Sequence, residues 1–165
     1  MSPEETKFEE TQYLPGWLNA LLGAICALPV GGLIAVAVAT QRLTALPIVL
    51  SLLFGGIALL LMRMRTTVYG DRIVVQFGWT SLVRFTIPLS EVQSCRPLTY
   101  RPLREFGGWG IRRDWGGRRA YTMRGDRAGE VVTAKRTILI GSAVPEQLCA
   151  AVNSLLPAPA PAAPR

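Results

Sequence analysis

The chain changes character at Met64. Before it, "WLNALLGAICALPVGGLIAVAVA" (Trp17 to Ala39) and "LTALPIVLSLLFGGIALLLM" (Leu43 to Met62) are two apolar runs without a charged residue. A helix needs roughly 20 apolar residues to cross the hydrocarbon core of a bilayer, so each run is long enough to span once. The connector around "TQR" is only a few residues long, which makes the predicted spans antiparallel neighbours. The sequence therefore predicts a two-helix transmembrane hairpin, with spans at 17–39 and 43–62. Residues 1–16, "MSPEETKFEETQYLPG", are acidic and lack the basic start of a cleaved signal peptide. Arg63 and Arg65 follow the second run directly, whereas the connector holds only Arg42. The excess of arginine beyond the second run predicts a multi-pass protein of the cytoplasmic (inner) membrane with both termini in the cytoplasm.

Gly31, Ala35 and Ala39 recur every four residues, a spacing that lets a second helix approach closely. The stripe serves either to pack the hairpin on itself or to pair two copies of the chain. Neither run contains Asp, Glu, Lys or Arg, the usual markers of an ion or proton path, which argues against a transporter or channel.

After Met64 the residue types become those of strands. "RTTVYGDRIVVQFG" reads as two strands about the Gly70–Asp71 turn, and "LVRFTIPLSEVQSCRPLTY" gives two more, around Arg84–Ile87 and Val92–Tyr100. "RRAYTM", "GEVVTA" and "RTILIGS" bring the total to seven, rich in the β-branched and aromatic residues that suit a pleated surface. In "VPEQLCAAVNSLLP", Pro145 fits a first helical position, and Val144, Leu148, Val152 and Leu155 recur at helical spacing. This domain extends over 65–156. Residues 157–165, "PAPAPAAPR", have too little to bury and read as a disordered Pro/Ala tail.

Seven short, mainly antiparallel strands closed by one carboxy-terminal helix are the strand count of a pleckstrin-homology-like (PH-like) β-barrel. With "FEETQY" before the first run, "VVQFG", "IPLSEV", "GGWGIR" and "LIGSAVPEQLCAAV" in order along the chain, the sequence resembles the bacterial PH-like membrane proteins, in which a transmembrane hairpin precedes such a barrel. The resemblance implies an α+β fold with membrane helices, and no assigned biochemical activity.

Several classes of chemistry find little support in the residues. There is no histidine, which removes the commonest general base, metal ligand and partner of a nucleophilic Ser or Cys. Cys26, Cys95 and Cys149 form neither a disulfide framework nor a CxxC metal site. The carboxylates fall mostly in turns and form no recognisable acid–base pair. The sequence thus predicts no enzyme, no catalytic, metal or cofactor-binding residues, no cofactor and no small-molecule substrate. The net charge is +7, and Arg65 to Arg165 holds 15 basic against 7 acidic residues. Such a surface meets nucleic acid, anionic lipid or an acidic protein. Nucleic acid is set aside, because nothing resembles a recognition helix or an RNA-binding aromatic motif.

"EFGGWGIRRDWGGRR", Glu105 to Arg119, is the most distinctive stretch. A phosphate-binding loop places its glycines between a strand and a helix. Here strand-like "RRAYTM" follows, so Gly107, Gly108 and Gly110 read as bends of a curved sheet. Trp79, Trp109, Arg112, Arg113, Trp115, Arg118 and Arg119 are the candidate contact residues for lipid or a partner. The reading is a membrane-anchored scaffold or protein-interaction module, an accessory subunit that contacts the bilayer and a membrane or cytoplasmic protein, or a second copy of itself. The alternative is a peripheral binder of anionic lipid through the Trp/Arg loop.

Overall fold

The computed structural model describes residues 5–40, 49, 53, 55–56, 63–79, 83–114 and 116–157, excepting the side chains at 22, 26, 29–30, 33–34, 37–38 and 40. Four strands make the first sheet: β1 (Phe8–Tyr13), β2 (Arg63–Val68), β3 (Arg72–Phe77) and β4 (Val83–Pro88), in that order and all antiparallel. The long helix α1 (Gly16–Thr40) leaves the sheet after β1. Because Tyr13 is the register partner of Arg63, residues 14–62 depart from and return to one point on the sheet.

A 3-10 turn at Leu89–Glu91 leads into the second sheet, of β5 (Val92–Thr99), β6 (Gly110–Arg113), β7 (Arg119–Thr122), β8 (Arg127–Thr133) and β9 (Thr137–Gly141). Its spatial order is β5-β8-β9-β7-β6, and β7 runs parallel to β9. A one-turn helix α2 (Pro102–Phe106) lies between β5 and β6, and helix α3 (Pro145–Asn153) closes the domain.

The main core lies between the sheets. Met64, Ile73, Val75 and Phe77 of the first sheet meet Tyr121, Val131, Ile138 and Ile140 of the second, with Leu148 and Val152 of α3. Phe85 of β4 stacks on Tyr121 of β7, ring centroids 4.4 Å apart, which joins the two sheets through their side chains. Side chains alternate along a strand. Hence Leu139, between Ile138 and Ile140, points to the opposite face and joins Tyr100, Phe106, Ala120 and Ala128 in a second, smaller core beneath α2.

Helix α3 reaches the sheet because Gly129 has no side chain. A Cβ there would lie 3.0 Å from Leu148 Cδ2 and 3.2 Å from Cys149 Sγ. Cys149 is joined to Cys95 of β5 by a disulfide, with a Cα–Cα separation of 5.0 Å. The absence of a disulfide framework expected from the cysteine spacing is thereby corrected. Cysteines 54 residues apart carry no spacing signal, and only the docking of α3 on β5 brings them together.

Two further expectations are corrected. The fold is not a closed seven-stranded PH-like barrel but two open sheets of four and five strands, because β1 and β6 add strands that the sequence pattern does not announce. Nor do the described residues contain a transmembrane hairpin: no helix among them is long and apolar enough to cross a membrane. Crossing needs roughly 20 continuous apolar helical residues. Part of α1's side chains, and all of the second predicted span except Val49, Leu53, Gly55 and Gly56, lie outside the described set. The two spans, the membrane character and the inner-membrane placement with cytoplasmic termini are therefore not carried forward. The predicted tail beyond Pro157 also lies outside the described residues.

Candidate interaction surface

Helix α2 begins with Pro102 at a position where a missing N–H costs nothing. The Glu105 carboxylate accepts a hydrogen bond from the Arg101 backbone N–H at 2.8 Å, which closes the turn on itself. Gly107, at φ 68°, ends the helix in the left-handed conformation that favours glycine, and Gly108 and Gly110 also take positive φ. The glycines of the distinctive stretch therefore turn the chain from α2 over the small core and into β6. The Trp109 indole N–H donates to the Gly125 carbonyl at 2.8 Å and anchors the start of that strand.

The β6–β7 turn is held by Asp114. Its carboxylate accepts from the Arg118 backbone N–H at 2.7 Å and from Arg118 Nε at 2.6 Å. Burial works against the charged carboxylate, but the Arg118 guanidinium and the backbone N–H groups of Arg118 and Gly116 outweigh it and hold Asp114 below the usual carboxylate range. The hydrogen bond to Asp114 likewise raises the Arg118 guanidinium above its ordinary value. Arg118 also reaches Glu105 at 3.4 Å and lies over the Phe106 ring, so it braces the hairpin against α2. Burial pushes the Tyr100 phenol upward.

The sequence-derived contact residues are distributed unevenly. Trp79 is 63% exposed at the end of β3 on the first sheet, where the Arg63 guanidinium lies 5.3 Å from its ring centroid. Trp109, Arg112, Arg113, Arg118 and Arg119 share the β6–β7 hairpin of the second sheet. Of these, Arg112 and Arg113 are exposed, Arg118 is committed to Asp114 and Glu105, and Arg119 is half-buried in a cleft of about 130 Å³ beside Phe85 and Arg136. Trp115 lies outside the described residues.

Sequence reasoning missed α2 and the groove beside it. That groove, of about 540 Å³, is lined by Tyr100, Pro102, Leu103 and Trp109, together with Arg101 and Arg104. "PLREFG" carried the available signal, a proline opening and a glycine closing a short helix.

Electrostatically, most carboxylates of the domain are already taken: Asp71 by Arg72, Glu91 by Lys135, Glu130 by Arg96 and Glu146 by Arg127, besides the pairs of Arg118. Arg101, Arg104, Arg112 and Arg113 have no carboxylate partner among the described residues. They surround an edge, since β6 has one strand neighbour among those residues, β7. A free strand edge offers backbone donors and acceptors to an added strand, and the arginines favour one that carries acid. No family model, characterised protein or solved structure matches the chain.

Proposed function

We propose that this chain is a scaffold or protein-interaction module, and that it contributes the free edge of β6 to a larger protein assembly. The observation that carries the reading is the pairing of an open strand edge with arginines that have no carboxylate partner among the described residues; Arg112 Nε donates only to the Trp109 carbonyl, at 3.2 Å. An extended acidic segment would hydrogen-bond to the β6 backbone and set its carboxylates opposite Arg112 and Arg113, where charge-assisted bonds to guanidinium give both affinity and register. Ile111, which is 42% exposed, shares a face of β6 with Arg113 and Arg112 takes the other, so the strand offers contact on each of its faces.

A photo-crosslinking residue in place of Ile111, introduced into the full chain in its native host, tests this directly. The expected result is a discrete protein adduct that disappears when Arg112 and Arg113 are both changed to glutamine. Binding of anionic vesicles is the competing outcome. Adducts to lipid alone, or a protein adduct indifferent to the two arginines, would overturn the reading.

A further inference from the structure

The groove beside α2 lies at the start of β6, because Trp109, which lines it, immediately precedes Gly110. Its lining is largely apolar, with Tyr100, Pro102, Leu103 and Trp109; Leu103 is 72% exposed, whereas Tyr100 is mostly covered by its neighbours. Tyr100 is fixed by the small core through its edge-on contact with Phe106, and Trp109 by its bond to the Gly125 carbonyl, so two aromatic residues of the lining are held in place. Arg101 and Arg104 also line the groove, and Asp126 is the acidic residue of the lining.

We infer that this groove is an anchor site for one large apolar side chain, aromatic or leucine, borne by an extended acidic segment of a partner protein. The inference rests on the interaction-module reading and extends it from the strand edge to the residue that gives the partner its identity. Strand β6 has four residues, about 13 Å at roughly 3.3 Å each, which is too short to hold a peptide through backbone bonds alone. Peptides that add to a sheet edge take specificity from pockets for individual side chains, and buried aromatic or leucine anchors commonly dominate such contacts. A groove of this volume accepts a side chain of that size.

The charge around the groove selects the occupant. A second copy of the chain would bring the same arginines against Arg101, Arg104, Arg112 and Arg113. The chain's own "APAPAAPR" carries no acid at all. A partner segment with Asp or Glu next to its apolar anchor satisfies the arginines and the apolar lining together.

Panning phage-displayed random peptides of about twelve residues against the purified full chain tests the assignment. The expected outcome is enrichment of peptides with Phe, Trp or Leu within a few residues of Asp or Glu. Replacing that apolar residue with alanine in the synthetic peptide, or Leu103→Asp in the chain, should weaken binding about tenfold or more. The thermal transition of the Leu103→Asp chain should be unchanged, since that side chain is exposed. Enriched peptides that depend on Arg112 and Arg113 but tolerate both apolar changes would overturn the anchor site and leave the interaction module standing. No enrichment would also overturn the anchor site, and the crosslink at Ile111 would then judge the module separately.

Discussion

At one edge of the five-stranded sheet, the Cys95 backbone of β5 is fully occupied: its N–H donates to the Asn153 side-chain oxygen at 3.0 Å, and its carbonyl accepts from the Asn153 amide at 2.8 Å. The same residue is tied to Cys149, and α3 lies across the strand. At the other edge, β6 has only β7 beside it among the described residues, and its side chains Ile111, Arg112 and Arg113 are exposed. An exposed edge is a template for further pairing, and proteins normally block it or leave it charged. Here one sheet does both, with a helix, an amide and a disulfide on β5 and arginines on β6. One edge is closed by internal bonds and the other is left open, so changes at each should be separable.

The closed edge should carry the larger energetic effects. Leu148 is fully buried between α3 and the sheet, and Leu148→Ala should destabilise the chain by about 2–5 kcal/mol in denaturant unfolding. A loss below 1 kcal/mol would mean that α3 is not docked as described. Reducing the Cys95–Cys149 disulfide, which spans 54 residues, should cost about 2–4 kcal/mol, read as a lower unfolding midpoint in dithiothreitol. Equal midpoints with and without reductant would remove the covalent half of the clamp. Asn153→Ala leaves the Cys95 N–H and carbonyl without their partner and should cost about 1–3 kcal/mol.

Effects at the open edge should be smaller and local. Asp114 has a lowered pKa, so its contribution to the β6–β7 turn is fully present above about pH 4, the ordinary carboxylate value, and is lost as pH falls through the lower value of the folded chain. The exchange protection of the Arg118 amide, relative to an unfolded amide at the same pH, should therefore fall on acidification before that of the closed edge. Equal loss of protection at both edges would contradict a locally held turn. Smallest of all, changing Arg112 and Arg113 to glutamine should move the unfolding free energy by less than about 0.5 kcal/mol, because neither is ion-paired among the described residues. A larger loss would mean that these arginines serve the fold rather than a partner.

Much of the strand pattern was legible in the residues. The seven stretches read as strands correspond to β2–β5 and β7–β9, and Pro145 does open the terminal helix. The β-branched and aromatic content and the turn glycines carry that information locally. Strand β1 was hidden because "FEETQY" alternates weakly and acquires its role only by pairing with β2, 50 residues later. There Glu9 meets the Arg65 guanidinium at 2.6 Å, and Glu10 accepts hydrogen bonds from Ser142 Oγ at 2.5 Å and the Ala143 N–H at 2.8 Å. Residues read from the sequence only as part of an acidic amino-terminal segment are thus partners of groups far along the chain.

The candidate site was legible in part for the same reason. Composition marked the glycines, tryptophans and arginines between Glu105 and Arg119 as a bend with a contact surface. It could not sort them, since Arg112 and Arg118 look alike in sequence and differ only in whether a carboxylate stands beside them. Trp79 was a candidate alongside them, yet it sits on the other sheet beside Arg63.

What the sequence determined by itself is the set of local states: where the chain extends, where it turns, which helix is amphipathic, and that the domain carries an excess of positive charge. These follow from backbone sterics, side-chain period and charge counts over neighbouring residues. Tertiary structure alone decided the parallel pairing of β7 with β9, the split into two open sheets, the meeting of Cys95 with Cys149, and the groove between α2 and Trp109. Each depends on surfaces that local period leaves degenerate and that long-range packing selects, because only packing determines which strand faces which and which charges find partners.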